Sequence, residues 1–328
     1  MPVGTRMPDG VTASVVVTVR NEAGSIDRLL GGLARQSRPA DEVIVVDGGS
    51  TDGTAERARA HAGRLPGLRV LLAPGSNISR GRNVGIASAA GPLVAVTDAG
   101  CVPDPEWLAR LVAGLEADPG VGLVSGVVRP ETATHLEACI AVCSLAFELR
   151  IGDLRFFPTA RTLAFRRVVW EAVGGFPEHL DFGEDTAFIV AATGRGARLT
   201  LAPEAVVTWR PRRSYREVVR QFFHYADGAA RAGLSRTLHL YTVAQSAAGL
   251  TLVLAGVVTA HWLPWVLLGG LAAAYLARKA RQGCFDVPSW RTYVRVPLVL
   301  LAIHVGTVAG IVYGHLTRLS ALAPPSGR

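Results

Sequence analysis

The sequence predicts an α/β domain built on a mostly parallel sheet with helices on both faces, followed by a C-terminal helical membrane region of about three transmembrane helices. Three observations carry this expectation. Short β-branched runs alternate with helical stretches over the first half of the chain. Glycine- and carboxylate-rich clusters fall where those runs end. Between Arg236 and Arg278, 41 residues pass without an Asp, Glu, Lys or Arg. Composition excludes two other classes. With 49% hydrophobic and 18% charged residues in 328, the chain can bury a large core and is not disordered. Four cysteines are too few for a disulfide scaffold and read as free thiols.

Residues 1–10 hold no apolar signal core and are expected to be a flexible N-terminus. From 11 to 237 the elements follow in order. Strands are expected at Ser14–Val19, Glu42–Asp47, Leu68–Leu72 and Leu93–Thr97, and helices at Ser25–Gln36, Thr54–Ala62, Arg80–Ala89 and Glu106–Glu116. Strands that are apolar on both faces and joined by helices belong to parallel sheets covered on both sides. Ligands of such sheets bind beyond the carboxyl ends of the strands. The first strand runs into Thr18-Val19-Arg20-Asn21-Glu22, the second into Asp47-Gly48-Gly49-Ser50-Thr51-Asp52-Gly53, and the fourth into Thr97-Asp98-Ala99-Gly100. A strand-end carboxylate such as Asp47 can accept from a ring N–H or a ribose hydroxyl; Asp47 and Asp52 can equally be turn and cap residues. The chain has neither a P-loop nor a G-x-G-x-x-G after its first strand, which removes the ATPase and ordinary dinucleotide readings.

On these motifs the chain resembles the family 2 glycosyltransferases, inverting enzymes of the GT-A fold, from about Thr12 to Gly233. Val46-Asp47-Gly48-Gly49-Ser50-Thr51-Asp52-Gly53-Thr54 matches the family's V-D-D-G-S-T-D-G-T strand end at all but one position. The resemblance implies that Thr18, Arg20, Asn21 and Glu22, with Asp47 and Gly49, hold the base and ribose of a nucleotide sugar. Ser79-Arg80-Gly81-Arg82-Asn83-Val84-Gly85 is similar to the family's A-R-N-x-G segment, which implies that Arg82 reaches the diphosphate near a helix N-terminus. Asp98 and Ala99 stand at the D-x-D motif, so Asp98 is the expected ligand of a divalent cation (Mg²⁺ or Mn²⁺). Gly100 replaces the second Asp.

Trp170–Phe176 followed by Phe182-Gly183-Glu184-Asp185-Thr186 is similar to the family's G-G-F turn and E-D pair. This implies that Asp185 is the base. Neighbours on a helix point about 100° apart, so only one of Glu184 and Asp185 is expected to face the sugar. Arg161, in Thr159–Thr162, is expected to line the acceptor side. Gln221, His224 and Tyr225 have the spacing of Q-x-x-R-W, with His for Arg and Tyr for Trp. The same stretch also reads as an amphipathic helix leading to the membrane, with Tyr215, Val218, Val219, Phe222 and Phe223 on its apolar side.

The uncharged run after Arg236 would be roughly 60 Å long as one helix, about twice a hydrocarbon core, and so is divided into two crossings. The break is expected at Ala260–Trp265, where two Trp and a Pro suit an interface. The membrane region is 238–318, with crossings at about 238–260, 262–277 and 296–317, and 319–328 is a flexible C-terminus. Five basic residues against Asp286 in the loop Arg278–Arg295 place that loop, and the catalytic domain, in the cytoplasm of a multi-pass plasma-membrane protein. His304 and His315 read as helix-packing residues. Residues 1–237 carry 27 basic and 25 acidic groups, and the remaining 91 carry 7 and 1. The excess of charge is thus a topology signal in the tail, and no nucleic-acid partner is expected.

The expected function is a membrane-anchored inverting glycosyltransferase. It would move a sugar from a nucleoside diphosphate sugar to a lipid-linked or membrane-associated acceptor. The alternatives are a polysaccharide synthase of the same family and a catalytically silent membrane scaffold.

Overall fold

The computed structural model describes residues 11–145, 149–151, 154–156, 158–234 and 236–322. The expected flexible N-terminus at 1–10, and all of the expected C-terminal one beyond 322, lie outside the described residues. The chain forms two compact units: Met1–Arg129 with Arg150–Arg210, and Pro130–Leu149 with Pro211–Arg328. This division differs from the boundary expected at 237/238, because the polar helix around Gln221 packs with the tail.

In chain order the elements are β1 (Ala13–Val19), α1 (Ile26–Leu33), β2 (Glu42–Asp47), α2 (Thr54–Ala60), β3 (Leu68–Leu72), α3 (Ile78–Ser88), β4 (Leu93–Asp98), β5 (Cys101–Pro103), α4 (Trp107–Glu116) and β6 (Val121–Pro130). Then come α5 (His135–Leu145), β7 (Leu149–Ile151), β8 (Leu154–Phe156), β9 (Leu163–Arg166), α6 (Arg167–Val173), α7 (Glu184–Gly194) and β10 (Arg198–Trp209). The last four are α8 (Tyr215–Arg231), α9 (Arg236–Thr259), α10 (Leu263–Arg281) and α11 (Thr292–Leu322). The four predicted strands and four predicted helices are all present.

The main sheet has the order β3-β2-β1-β4-β9-β6-β10-β5. From β3 to β4 the pairs are parallel, with Val16 opposite Ile44 and Val96. Beyond β4 the character changes: β9 lies antiparallel between β4 and β6, and β10 antiparallel to β5. The expectation of a mostly parallel sheet is therefore corrected to a mixed one. The physical reason is connection: α1, α2 and α3 each return the chain to the sheet in the same direction, whereas β9 re-enters it from the opposite end.

Alternation along the strands covers both faces, as the apolar runs require. Val15, Val17, Val43, Val45 and Ala95 pack with α1 and α4, whereas Val16, Ile44, Val46, Val94 and Val96 pack with α3 and α7. Each fully buried Val, Ile or Leu contributes about 1.5–3 kcal/mol. α3 starts at Asn77, whose side chain accepts from Arg80 N at 2.9 Å, and ends where Ala89 turns extended. It lies unusually close to the sheet: a Cβ on Gly81 would meet Thr18 Cγ2 at 2.8 Å, and one on Gly85 would meet Val46 Cγ2 at 3.0 Å. A β-branched residue at Gly85 would lift α3 off the sheet.

The second unit is helical, with Cys139, Cys143, Val218, Phe222, Cys284, Val296 and Leu300 in its core. All four cysteines are free and buried. Gly306, Gly310 and Gly314 are four apart and place α11 directly on α8: a Cβ on Gly314 would meet Asp227 O at 2.7 Å, and one on Gly310 would meet Ala226 Cβ at 3.0 Å. The chain breaks between α9 and α10 at Ala260, φ 52°, as the Trp–Pro segment implied. Among the described residues two helices are long and apolar enough to cross a membrane, Arg236–Thr259, whose most apolar stretch is almost wholly uncovered, and Thr292–Thr317, whose most apolar stretch is nearly half covered. α10, which ends in Arg278, Lys279 and Arg281, is not among them, so the count of three crossings is not confirmed. His304 Nε2 meets Ser246 Oγ at 2.8 Å, and His315 Nε2 meets His239 Nδ1 at 3.3 Å, so both tie α11 to α9.

Candidate active site

The first two strand-end loops hold each other. Asn21, with φ 56°, donates its N–H to Ser50 Oγ at 2.9 Å and accepts from Thr51 N at 2.9 Å. Glu22 N donates to Thr54 Oγ1 at 2.8 Å, and Ala23 N to Asp52 Oδ2 at 3.0 Å. Asp52 also accepts from Thr54 N at 3.1 Å, a turn contact just before α2, whose N-cap position is Gly53. Asp47 is 1% exposed and accepts from Gly49 N at 2.8 Å and Ser50 N at 2.7 Å through Oδ1. Gly49, at φ +100°, lets the loop turn there. Glu22 accepts from Ser25 Oγ, Thr18 is half-buried at the end of β1, and Arg20 is exposed. Thr18, Arg20, Asn21, Glu22, Asp47 and Gly49 thus belong to one rim, with Asp47 fixing the backbone of that rim.

α3 is the spine of the opposite rim. Its Asn77 donates to Glu178 O at 2.8 Å, and Ser79 donates to Leu180 O at 3.0 Å. Asn83 accepts from Trp170 Nε1 at 3.0 Å and Phe176 N at 2.8 Å, and donates to Phe176 O at 2.8 Å. The R-N-x-G segment therefore holds the G-G-F turn in place. Sequence reasoning assigned that segment to the diphosphate and missed Asn83; the Asn next to the arginine in the A-R-N-x-G-like segment was the available signal. Arg82 is 2% exposed, donates through one terminal nitrogen to Glu184 Oε1 at 2.5 Å and through the other to Asp98 Oδ1 at 2.8 Å, and stands 5.3 Å over the Phe176 ring. Burial works against its charge, but Glu184, Asp98 and Asp185 outweigh that and hold it above the ordinary arginine value.

Asp98 ends β4 with its side chain 34% exposed, and Ala99 behind it is buried. Burial, with the Asp98 charge adding to it, pushes the Cys101 thiol up to about 12, so it is inert. No group of three or more His, Cys, Asp or Glu able to hold a metal occurs among the described residues. A hard cation bound together with phosphates needs only one or two carboxylates. Asp98 supplies one, with Arg82 on a single one of its oxygens. A Cβ on Gly100 would meet nothing within 4 Å, so the place of the missing second Asp is open. The residues present fit a cation carried largely by its diphosphate.

Glu184 and Asp185 open α7 behind Gly183, whose φ is 75°. A helix N-terminus favours negative charge. Burial pushes the Glu184 carboxyl up to about 7, with the Arg82 charge opposing and Asp185 adding to the rise. Asp185 is only half-buried: Oδ2 accepts from Thr159 Oγ1 and Ala160 N, each at 3.1 Å, and Oδ1 accepts from Thr186 N at 2.7 Å. The two neighbours part, as the helix geometry requires, Glu184 toward Arg82 and Asp185 toward Thr159. Arg161 stands 4.7 Å over the Trp209 ring, and its carbonyl accepts from Thr97 Oγ1 at 2.8 Å.

Arg82, Asp98, Glu184, Asp185 and Thr159 are therefore joined by one set of contacts. Gln221, His224 and Tyr225 lie on α8 in the second unit. There Gln221 is buried and donates to Tyr225 Oη at 2.8 Å, while Tyr225 is 38% exposed and its ring meets that of Phe222 edge-on.

A family model described as Glycosyl transferase family 2 matches residues 14–139, and one described as Glycosyl transferase family 21 matches residues 83–313. Glycosyltransferase AglE of Haloferax volcanii is 34% identical over 221 residues, 66% of this chain and 72% of that protein. Succinoglycan biosynthesis protein ExoA of Rhizobium meliloti is 28% identical over 283 residues, 80% of this chain and 83% of that protein. Among solved structures, the mannosyltransferase PcManGT of Pyrobaculum calidifontis, in complex with GDP-Man and Mn²⁺, aligns with a TM-score of 0.69 at 24% identity over 94% of this chain and 88% of that one.

Proposed function

The chain belongs to the glycosyltransferases of families 2 and 21, and from that premise we propose that it is a membrane-anchored inverting enzyme, moving a sugar from a nucleoside diphosphate sugar to a lipid-linked or membrane-associated acceptor. One observation carries the chemistry. Asp185 is a half-buried carboxylate oriented by Thr159, Ala160 and Thr186 at a helix N-terminus, within the cluster that contains the strand-end carboxylate Asp98. Inversion needs a single displacement. Asp185 takes the proton of the acceptor hydroxyl, the hydroxyl oxygen bonds to the anomeric carbon, and the bond to the diphosphate oxygen breaks on the opposite face. Glu184 is not the base, because Arg82 holds it in the interior.

On the donor side, the rim formed by Thr18, Arg20, Asn21, Glu22, Asp47 and Gly49 receives the nucleoside. Asp98, with Ala99 beneath it, would hold Mg²⁺ or Mn²⁺, which supplies charge stabilisation to the departing diphosphate when bound. Arg161 is assigned to the acceptor side; Gln221, His224 and Tyr225, on α8 of the second unit, are a separate assignment to acceptor or diphosphate that rests on their Q-x-x-R-W spacing. The aromatic ring of Tyr225 suits a sugar face.

The anchor rests on α9, where Leu250, Leu254, Val257 and Val258 are 55–82% exposed. Leaving so much apolar side chain in water is costly, and a bilayer removes that cost. The basic loop Arg278–Arg295 favours a cytoplasmic catalytic unit.

The test uses membranes containing the full chain, incubated with radiolabelled GDP-mannose or UDP-glucose and Mn²⁺ and then extracted with organic solvent. The expected result is a labelled lipid whose anomeric configuration is opposite to the donor's, formed by wild type and absent with Asp185→Asn. Retained configuration, label found only in water-soluble product, or equal turnover in the variant would overturn the proposal.

A further inference from the structure

Arg82 lies at the junction of three elements: it is carried by α3, and its two partners end β4 and begin α7. The guanidinium is a rigid planar fork. When its two terminal nitrogens each hold one carboxylate oxygen, the separation of those oxygens is set by the fork and not by the strand or the helix. The Phe176 ring closes one side of the fork, and that ring is itself stacked on Phe188 at 4.3 Å between centroids. At 2% exposure, Arg82 has no open path to a diphosphate that leaves both of these bonds intact.

The same geometry bears on the metal. Two carboxylates brought together, Glu184 buried and Asp98 a third exposed, offer the oxygen ligands that a hard divalent cation takes. Here the space between Asp98 and Glu184 is filled by a cation that belongs to the chain. We propose that Arg82 is a positioning residue: it sets the spacing between the metal-side carboxylate Asp98 and the base-side residue Glu184, and it keeps a divalent cation from bridging the two. The metal then binds through Asp98 only in company with the donor's diphosphate. Fixing Glu184 also fixes the first turn of α7, and with it Asp185. This inference rests on the reading of Asp98 and Asp185 given above.

The test uses the full chain in detergent micelles. Mn²⁺ alone, without nucleotide, is titrated by electron paramagnetic resonance. Arg82→Met is expected to bind Mn²⁺ about tenfold more tightly than wild type, because two carboxylates lose their built-in counter-charge. With whichever of GDP-mannose and UDP-glucose the wild type turns over, kcat is expected to fall about 100-fold while the donor KM stays within about threefold, as for a misplaced catalytic group. Arg82→Lys, which keeps the charge but can hold one carboxylate at a time, is expected to recover about tenfold of the lost kcat.

An unchanged Mn²⁺ affinity in Arg82→Met would overturn the proposal. So would a donor KM raised tenfold with kcat preserved, which would make Arg82 a diphosphate contact. If Arg82→Met does not fold, Arg82→Lys carries the titration: an affinity gain of about threefold supports the proposal, and no gain overturns it. A wild type that turns over neither donor refutes the donors named under the proposed function, and the Mn²⁺ titration still decides the role of Arg82.

Discussion

In the first unit Arg82 is 2% exposed and holds Glu184, itself 6% exposed, whereas in the second unit Leu250 and Val258 on α9 are 60% and 82% exposed. One region hides charge and the other displays grease, both against the usual preference of a folded chain in water. Burying ions costs several kcal/mol each after relaxation and persists only where pairing is close. Here it brings the Asp98 and Glu184 ends of two elements together. Exposing a row of large aliphatic side chains forfeits about 1.5–3 kcal/mol apiece and persists only where another apolar medium covers them. Under the proposed function, the first departure belongs to the chemistry and the second to the anchor. The contrast also separates the two candidate spans: α9 is bare, whereas α11 is covered along its glycine face by α8.

If the buried charges serve catalysis, the largest effect should come from Asp185, the half-buried carboxylate next to Glu184 in the chain. Asp185→Asn keeps the shape and the bonds from Thr159 and Ala160 but cannot take a proton. Turnover of the labelled donor is expected to fall about 10³-fold, with the thermal midpoint moving by less than about 2 °C. A loss under tenfold would leave the charged cluster without its catalytic meaning.

The exposed side of the comparison is tested at Leu250, midway along α9. Leu250→Arg is expected to cost about 3 kcal/mol of membrane insertion, which would appear as roughly a hundredfold shift of the chain from the membrane pellet to the soluble or aggregated fraction. An unchanged distribution would mean that α9 does not lie in the bilayer. A smaller effect is expected at Gly310, where the second unit is packed like an ordinary core. Gly310→Leu would drive a side chain into the Phe223 carbonyl and Ala226 on α8, and should destabilise the unit by about 1–3 kcal/mol in thermal or denaturant unfolding. If it does not, α11 and α8 are not pressed together in the folded protein.

The parts of this arrangement that could be read from sequence are those encoded locally. β1 to β4 show themselves as apolar runs because both faces of a parallel sheet are covered, and the turns after β1 and β2 show themselves by their Gly, Asn and Asp. The antiparallel half could not be read the same way, because the direction of β9 between β4 and β6 depends on connection and not on composition. Arg82 was visible as a motif residue, but its partner Glu184 is 102 positions away, and spacing says nothing about such a pairing. The carboxylate pair at 184 and 185 was legible, and so was the rule that its members part; which one turns inward was decided by Arg82. The placement of α8 was missed for a simpler reason. Gly306, Gly310 and Gly314 repeat at four residues, a spacing that permits close helix contact, yet in an uncharged run they pass as membrane composition.

The smallest effect is the most specific to the buried cluster. In the unfolded chain the Glu184 carboxyl has its ordinary value of 4.5, and in the folded chain burial, opposed by Arg82 and aided by Asp185, lifts it to about 7. Between those values the folded state therefore holds more protons than the unfolded one. Stability is fully present below the window and falls as pH rises through it, by up to about 1.4 kcal/mol per pH unit. Thermal midpoints of the full chain in micelles, taken from pH 4.5 to 7.5, should decline for wild type and lose that slope in Glu184→Gln, which still accepts from Arg82 but carries no titrating proton. Leu250 and its neighbours on α9 do not ionise, so Leu250→Arg should leave the slope in place. A decline that survives in Glu184→Gln would place the titrating group elsewhere and break the link between hidden charge and the base-side pair.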